Sequence, residues 1–305
     1  MTLSDFKRFS PPELLRNIKM AYFCGNFGDP AVVPDMQDIL DWCWQVNPDL
    51  ELKLFSNCSV RSVNWWRDLG ELTSDRNFSL IAAIDGASQE TNRRYRVRTD
   101  FDRIMANTAA FIGAGGNAEW RMLVFRHNEH EVENAKHMAA ERGFSLFRAY
   151  PSNRFGSAKA FEYTHKDEAF TLEPPTAKIP PKSSNTHSLV GQKPPDTEVI
   201  IECEALRTSS AFVDFLGYLT PCCHIGRRLY MRDQGAFDGA DDWMSDLFDT
   251  FDPKLLHVDT AGFDAADAAN DAFFVQLKEK WKTLQPRVCR NVCGKRRIAS
   301  DPAEK

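Results

Sequence analysis

Between residues 11 and 150 the chain repeats one pattern five times: a segment with apolar residues at helical spacing, then a short apolar segment that stops at polar turn residues. The helical segments are 11–18, 36–46, 65–72, 101–115 and 129–143, and the strand-like ones are 20–24, 50–57, 78–86, 118–125 and 144–150. In 36–46, Met36, Ile39, Leu40, Cys43 and Trp44 recur as one helical face, whereas in 50–57 Leu50, Leu52, Leu54 and Ser56 alternate against Phe55. Gly113, Gly115 and Gly116 stop one helix and Gly143 another. Strands alternating with helices of this length predict parallel strands joined by right-handed crossovers. The predicted fold class is α/β, a partial (β/α) barrel of parallel strands.

In such folds the working residues stand at the C-terminal ends of the strands. That rule selects Gly25, Asn26, Gly28, Asp29 and Pro30 after the first strand, Ser56 and Asn57 after the second, and Asp85 and Gly86 after the third. His127 and Asn128, then Ser152 and Asn153, end the next two. Each is also an ordinary loop former or helix cap. Their convergence at one mouth predicts a polar ligand held by backbone amides and small side chains. Glu119, Arg121 and His127 are candidates to face a substrate, and the arginines at 93, 94, 96 and 98 read as solvated or ion-paired.

The pattern breaks at residue 165, where three Pro-Pro pairs and no apolar periodicity predict an extended linker to 197. The expected domains are therefore 1–164, a linker over 165–197, and a small cysteine-rich α+β module over 198–305. In that module 198–205 and 211–223 read as the two strands of a hairpin with cysteines at its margins, and 264–284 as a helix.

Eight cysteines need a reason. The N-terminus has no apolar stretch of signal-peptide type, which predicts a reducing cytoplasm and no disulfides. No apolar run is long enough to span a membrane. A net charge of −5 disfavours a nucleic-acid partner. Metal ligation is the leading reason, and free buried thiols packed as small hydrophobes are the alternative. Cys203 is followed by thirteen residues, Gly217, four residues and Cys222, and the tail carries Cys289 and Cys293 three residues apart. Four thiolates suit a cubane iron–sulfur cluster or tetrahedral zinc, since soft sulfur holds both. Cys223 adjoins Cys222 and is expected to pack inward, leaving Cys222 as the ligand. Cys24 and Cys43 read as core residues.

These motifs together resemble the radical S-adenosylmethionine (SAM) superfamily. CGNFGDP resembles its glycine-rich motif, whose backbone holds the amino group of SAM, with Asp29 where glutamate is usual. FSNC (55–58) is similar to the turn after a later strand, with Cys58 in place of glycine, and AAIDG (82–86) to a further turn. The Cys203, Gly217, Cys222 spacing with the later Cys-x3-Cys resembles the SPASM or twitch module, which implies an auxiliary [4Fe-4S] cluster on Cys203, Cys222, Cys289 and Cys293. The resemblance implies SAM binding at Gly25, Asn26, Gly28, Asp29, Pro30, Ser56, Asn57, Asp85 and Gly86, a peptide or protein substrate, and a flavodoxin or ferredoxin as reductant of an active enzyme.

One hallmark departs from the family. The Cys-x3-Cys-x2-Cys trio that holds the radical-initiating cluster does not occur in this sequence. The barrel is accordingly expected to lack its first strand, and radical initiation by this polypeptide alone is not expected. Three readings follow: a shortened form of an active enzyme, a non-catalytic iron–sulfur protein with a weak or lost SAM pocket, and a zinc-stabilised interaction module.

Overall fold

The computed structural model describes residues 1–152, 155, 160–165, 168–177, 199–234, 247–248, 250–283 and 287–296. The chain forms two compact units, one of Met1–Phe6 with Pro11–Lys182 and one of Lys7–Ser10 with Ser183–Lys305.

After two short helices, α1 (Leu3–Phe9) and α2 (Pro12–Asn17), the first unit runs β1 (Met20–Phe23), α3 (Met36–Val46), β2 (Glu51–Ser56), α4 (Val63–Thr73), β3 (Phe78–Ala83), α5 (Gln89–Arg93), α6 (Phe101–Gly113), β4 (Ala118–Val124), α7 (Val132–Glu141) and β5 (Leu146–Pro151). The five strands form one sheet in the order β1-β2-β3-β4-β5, and every neighbouring pair is parallel. A strictly sequential order with right-handed crossovers lays successive helices on one face. That is the plan of a (β/α) barrel segment; a doubly wound sheet reverses its order at a switch point.

Burial follows the plan. In β2 the side chains of Leu52, Leu54 and Ser56 are buried while Glu51, Lys53 and Phe55 are half-buried. Leu52, Leu54, Leu80, Ala82, Trp120 and Met122 of the sheet share a core with Ile39 and Leu40 of α3, Trp66 and Leu69 of α4, Ile104 and Phe111 of α6, and Ala135 and Ala139 of α7. Burying each large aliphatic here contributes roughly 1.5–3 kcal/mol. Among the described residues three fully buried tryptophans also satisfy their indole N–H groups: Trp44 donates to Leu50 O at 3.0 Å, Trp66 to Val60 O at 2.9 Å and Trp120 to Ile84 O at 2.8 Å. Helix starts match local chemistry, with Ser62 capping α4 at the Trp65 N–H and Asp100 capping α6 at the Arg103 N–H.

Two expectations are corrected. His165 and Glu168–Leu172, expected as linker, pair with the preceding residues as an antiparallel hairpin of β6 (Phe161–His165) and β7 (Glu168–Leu172). The rest of that stretch from 178 to 198, with Asn153, lies outside the described residues. The second correction concerns the hairpin of 198–205 with 211–223. β8 (Val199–Ile201) instead pairs antiparallel with the tail strand β11 (Gly294–Arg296), and β9 (Phe212–Val213) pairs with β10 (Leu219–Thr220). The reason is local: Glu204–Thr208 turns into a short helix, α8, which ends the strand at Ile201. Asp214 then takes the N–H groups of Leu216 and Tyr218 on its carboxylate, and Gly217 at φ +95° closes the β9–β10 turn.

The second unit continues with α9 (Cys223–Asp233), α10 (Val258–Ala261), α11 (Phe263–Thr283) and α12 (Arg287–Cys293). Phe273 and Leu277 of α11 are buried against Ile225 and Leu229 of α9 and against Leu247, Phe248, Phe251 and Leu256. Among the described residues no helix is long and apolar enough to cross a membrane.

Candidate functional site

The strand-end residues of the first unit gather into two hydrogen-bonded knots. In the first, Asp29 Oδ2 accepts from Ser56 Oγ and from the Asn57 N–H, both at 2.9 Å, while its Oδ1 accepts from the Ala31 N–H at 3.0 Å. Asp29 thereby caps the 3-10 turn that opens at Pro30 and ties the loop after β1 to the end of β2. Its carboxylate serves the fold. Gly25, Asn26 and Gly28 are exposed in this loop. A Cβ on Gly25 would stand 2.6 Å from the Gly28 carbonyl oxygen, so the loop folds back on itself only because glycine is there.

Cys58 follows in the left-handed region, at φ +60°. Glycine adopts that conformation without strain, whereas a cysteine must be held in it. Cys58 is held there by its N–H donating to Ser56 Oγ at 2.9 Å and by Asn107 Nδ2 donating to its carbonyl at 2.8 Å. Burial and the charge of Asp29 push its thiol well above the ordinary range.

In the second knot Asp85 is wholly buried. Its Oδ2 accepts from Arg96 Nε at 2.6 Å, its Oδ1 from the Leu123 N–H at 2.5 Å, and its carbonyl from Asn128 Nδ2 at 2.7 Å. Gly86 is buried, and a Cβ there would meet Asn92 N and Thr91 Oγ1 at 2.4 Å. Asp85 and Gly86 thus join β3 to β4 and to the turn at 91–96. Arg96 is raised above its ordinary pKa against the pull of burial, first by the charge of Asp85 and also by that of Asp29.

Sequence reasoning set Arg96 among solvated or paired arginines and did not give Asn92 and Asn128 their bracing role. The available signal was a buried acid at a strand end, which requires a cation. On the sheet face away from the helices, Glu119 receives Arg121 at 2.9 Å and Arg148 at 3.0 Å. His127 stacks on Phe125 and meets the Thr91 carbonyl at 3.2 Å, and burial first, then the Arg94 charge, lowers its pKa.

The cysteines divide. Cys43 is buried on α3 as expected, its thiol pushed up to about 12 by burial. Cys24, expected in the core, is exposed because β1 ends at Phe23 and the chain has already entered the loop.

In the second unit Cys203, Cys222, Cys289 and Cys293 line one cavity, with Ile225, Leu277 and Trp281 among its walls. Cys203 and Cys222 are the residues just before α8 and α9, and Cys289 and Cys293 lie one turn apart on α12. Cys223 does not line the cavity. Cys203 is lowered to about 6, chiefly by a hydrogen bond from Cys293 and also by the N–H groups of Leu206 and Ala205; Cys293 moves upward in consequence. Burial raises Cys222 to about 11 against the N–H groups of Ile225 and His224. It raises Cys289 to about 12.

The donor set fits a soft metal centre: four cysteines line the cavity, and the buried indole N–H of Trp281 has no partner there. The enclosed space is about 20 Å³, room for one water-sized sphere. Among the described residues no three Cys, His, Asp or Glu side chains stand at ligand spacing around one point. The sulfurs must therefore move to share an ion.

The fold and these sites define a parallel α/β unit followed by a cysteine-rich helical unit. No family model matches the chain, and no curated protein does. Among solved structures it is similar to SuiB of Streptococcus suis, at 11% identity and a TM-score of 0.40 over 49% of this chain and 33% of that one. SuiB bound to S-adenosylmethionine scores 0.41, and SuiB bound to the precursor peptide SuiA scores 0.42 over 52% of this chain, both at 11% identity. The chain spans about a third of the length of these structures.

Proposed function

We propose that the chain is part of a radical SAM-type protein whose second unit holds an auxiliary iron–sulfur centre on Cys203, Cys222, Cys289 and Cys293. One observation carries this reading: thiols from three separated segments line a single cavity. The N–H groups that reach Cys203, Cys222 and Cys293 favour their thiolate forms, as sulfur ligands require. When bound, such a centre supplies one-electron transfer or an iron site for substrate. The chain's own part is to hold the sulfurs, to shield them with Ile225, Leu277 and Val288, and to keep Cys203 deprotonated.

In the first unit the exposed residues Gly25, Asn26 and Gly28 form the proposed SAM-facing surface, and Asp29, Ser56, Asn57, Asp85 and Gly86 brace it. The proposed substrate is a peptide or protein, reduced-cluster chemistry would draw on a flavodoxin or ferredoxin, and the compartment is the cytoplasm. The chain itself carries no Cys-x3-Cys-x2-Cys, so the reading assigns it no radical initiation of its own.

A second reading, a single zinc ion, is favoured by one observation. Cys203 and Cys293 line a cavity of about 20 Å³ and perturb each other's titration. Tetrahedral zinc with bonds near 2.3 Å brings sulfurs to roughly 3.8 Å of one another. Iron, zinc and acid-labile sulfide measured on anaerobically purified protein decide between them. Iron and sulfide in equal amounts, lost in Cys222→Ser and kept in Cys223→Ser, support the first reading. One zinc without sulfide supports the second, and neither metal overturns both.

A further inference from the structure

We infer that the outer edge of β7 is a docking site for an extended acidic peptide, which adds a strand to the β6–β7 hairpin and sets a carboxylate on Arg93. The site lies wholly within the first unit and stands without the thiolate centre.

The hairpin is fixed in place. Tyr163 and Leu172 pack with Phe125 and Phe155, the rings of Tyr163 and Phe170 stack at 5.2 Å, and the Tyr163 hydroxyl donates to the Arg94 carbonyl. Among the described residues β7 pairs with β6 alone, so its other edge carries no strand. Peptide groups two residues apart on a strand point the same way. The Glu173 carbonyl, one residue past β7, accepts the Arg126 N–H at 3.0 Å rather than a donor in β6, and Thr171 and Ala169, two and four residues back, turn their peptide groups to that same outer side. Open edges are commonly guarded by lysine, proline or a bulge. Glu168–Leu172 contains no lysine or proline, and its register with β6 is unbroken. The exposed side chains of Ala169 and Thr171 are small and leave room for a second backbone.

A groove of about 350 Å³ follows this edge, with Ala169–Leu172 as one wall and Glu90, Arg93 and Arg94 of the α5 segment as the other. Four successive residues of one strand make up a wall, and none of those lining it comes from β6, so the groove is elongated and lies on the outer side of β7. An extended backbone fits that shape, and a compact ligand would leave the strand's peptide groups unused. On the opposite wall Arg94 lies 3.8 Å from Glu90, which offsets one cation. Arg93 is exposed and has no ion pair or hydrogen bond among the described residues. One cation is therefore in surplus, and it selects an acidic occupant over a neutral or basic one. Main-chain hydrogen bonds to β7 supply the affinity, and Arg93 supplies the choice among sequences.

The test uses the full chain and a fluorescent peptide of roughly eight residues, threonine alternating with glutamate, long enough to span the strand. Fluorescence anisotropy is expected to show saturable binding, weakened about fivefold in Arg93→Glu, the upper range for an exposed ion pair. A peptide with lysine in place of glutamate is expected not to bind. On wild-type protein, amide exchange at Ala169 and Thr171 is expected to slow when the glutamate peptide is present, a readout that holds even if the variant does not fold. Absence of binding, equal binding of the lysine peptide, or protection that falls elsewhere overturns the proposal. Protection of these two amides that grows with protein concentration in the absence of peptide means that a second copy of the chain covers the edge, and it overturns the peptide as occupant. None of these readouts involves a cysteine, so the four-cysteine centre stands or falls separately on its metal and sulfide content.

Discussion

Arg96 Nε lies 2.6 Å from Asp85 Oδ2, and the carboxylate it meets has no exposure to solvent. Asp85→Ala leaves the guanidinium and the Leu123 N–H without their acceptor. Breaking a buried pair from one side costs roughly 3–5 kcal/mol, and the lower end applies because Arg96 is 26% exposed. Urea denaturation of the full chain should show the fall, and a shift under about 1 kcal/mol would remove Asp85 from its bracing role.

Two glycines should respond with opposite sign. Gly86→Ala drives a Cβ to 2.4 Å from the Asn92 backbone nitrogen and should lower stability by about 1–3 kcal/mol or more. Gly113→Ala meets nothing within 4 Å at the end of α6 and should raise stability, by up to about 1 kcal/mol. Thermal melts of the two variants side by side check the contrast.

Asp29→Ala removes one acceptor from three donors, the Ala31 and Asn57 N–H groups and the Ser56 hydroxyl. The expected loss is about 1–3 kcal/mol. The more telling measurement is amide hydrogen exchange, which should quicken at Ala31 and Asn57 and leave the β4–β5 amides unchanged. Equal quickening throughout the sheet would mean that Asp29 does not act locally.

The thiols of the metal-free protein should respond to pH in a fixed order. Cys203 is lowered to about 6 and Cys289 raised to about 12, so alkylation at neutral pH should fall on Cys203 first, with its rate rising through pH 6. Cys203 and Cys293 share a proton, so this value belongs to the loss of the first proton from the pair. The sign for stability follows. A depressed thiol favours the folded chain increasingly as pH rises from about 6 toward its ordinary 9.0; above that, raised thiols such as Cys222 and Cys289 lose protons more readily when unfolded and reverse the slope. Denaturation midpoints that fall steadily between pH 6 and 9 would contradict the assignment.

The parallel sheet was legible because its information is local: Leu52, Leu54 and Ser56 alternate within β2, and Ile39, Leu40 and Cys43 recur within α3. The pairing of Val199 with Arg296 was not, because three-residue strands carry no periodicity and the partners lie far apart in sequence. Helix α1 was passed over for the same shortness. Gly25 and Asp29 lie in the turn that follows a strand end, as their residue types suggest, whereas nothing local to residue 85 says that Arg96 will occupy its carboxylate. Cys203, Cys222, Cys289 and Cys293 were chosen by spacing and resemblance, and they do meet at one cavity. Trp281 was invisible, because an indole without an acceptor is a fact of three dimensions.

The Glu202 N–H donates to the Cys293 carbonyl at 2.8 Å, and the β8–β11 ladder continues from that bond. Peptide groups alone therefore bring the segment bearing Cys203 beside the segment bearing Cys293. Small metallodomains commonly fold as their ion arrives. Here the β8–β11 ladder holds the segments of Cys203 and Cys293 together through peptide groups alone, so the helices should stand with or without the proposed metal centre, and a chelator should leave them unmelted.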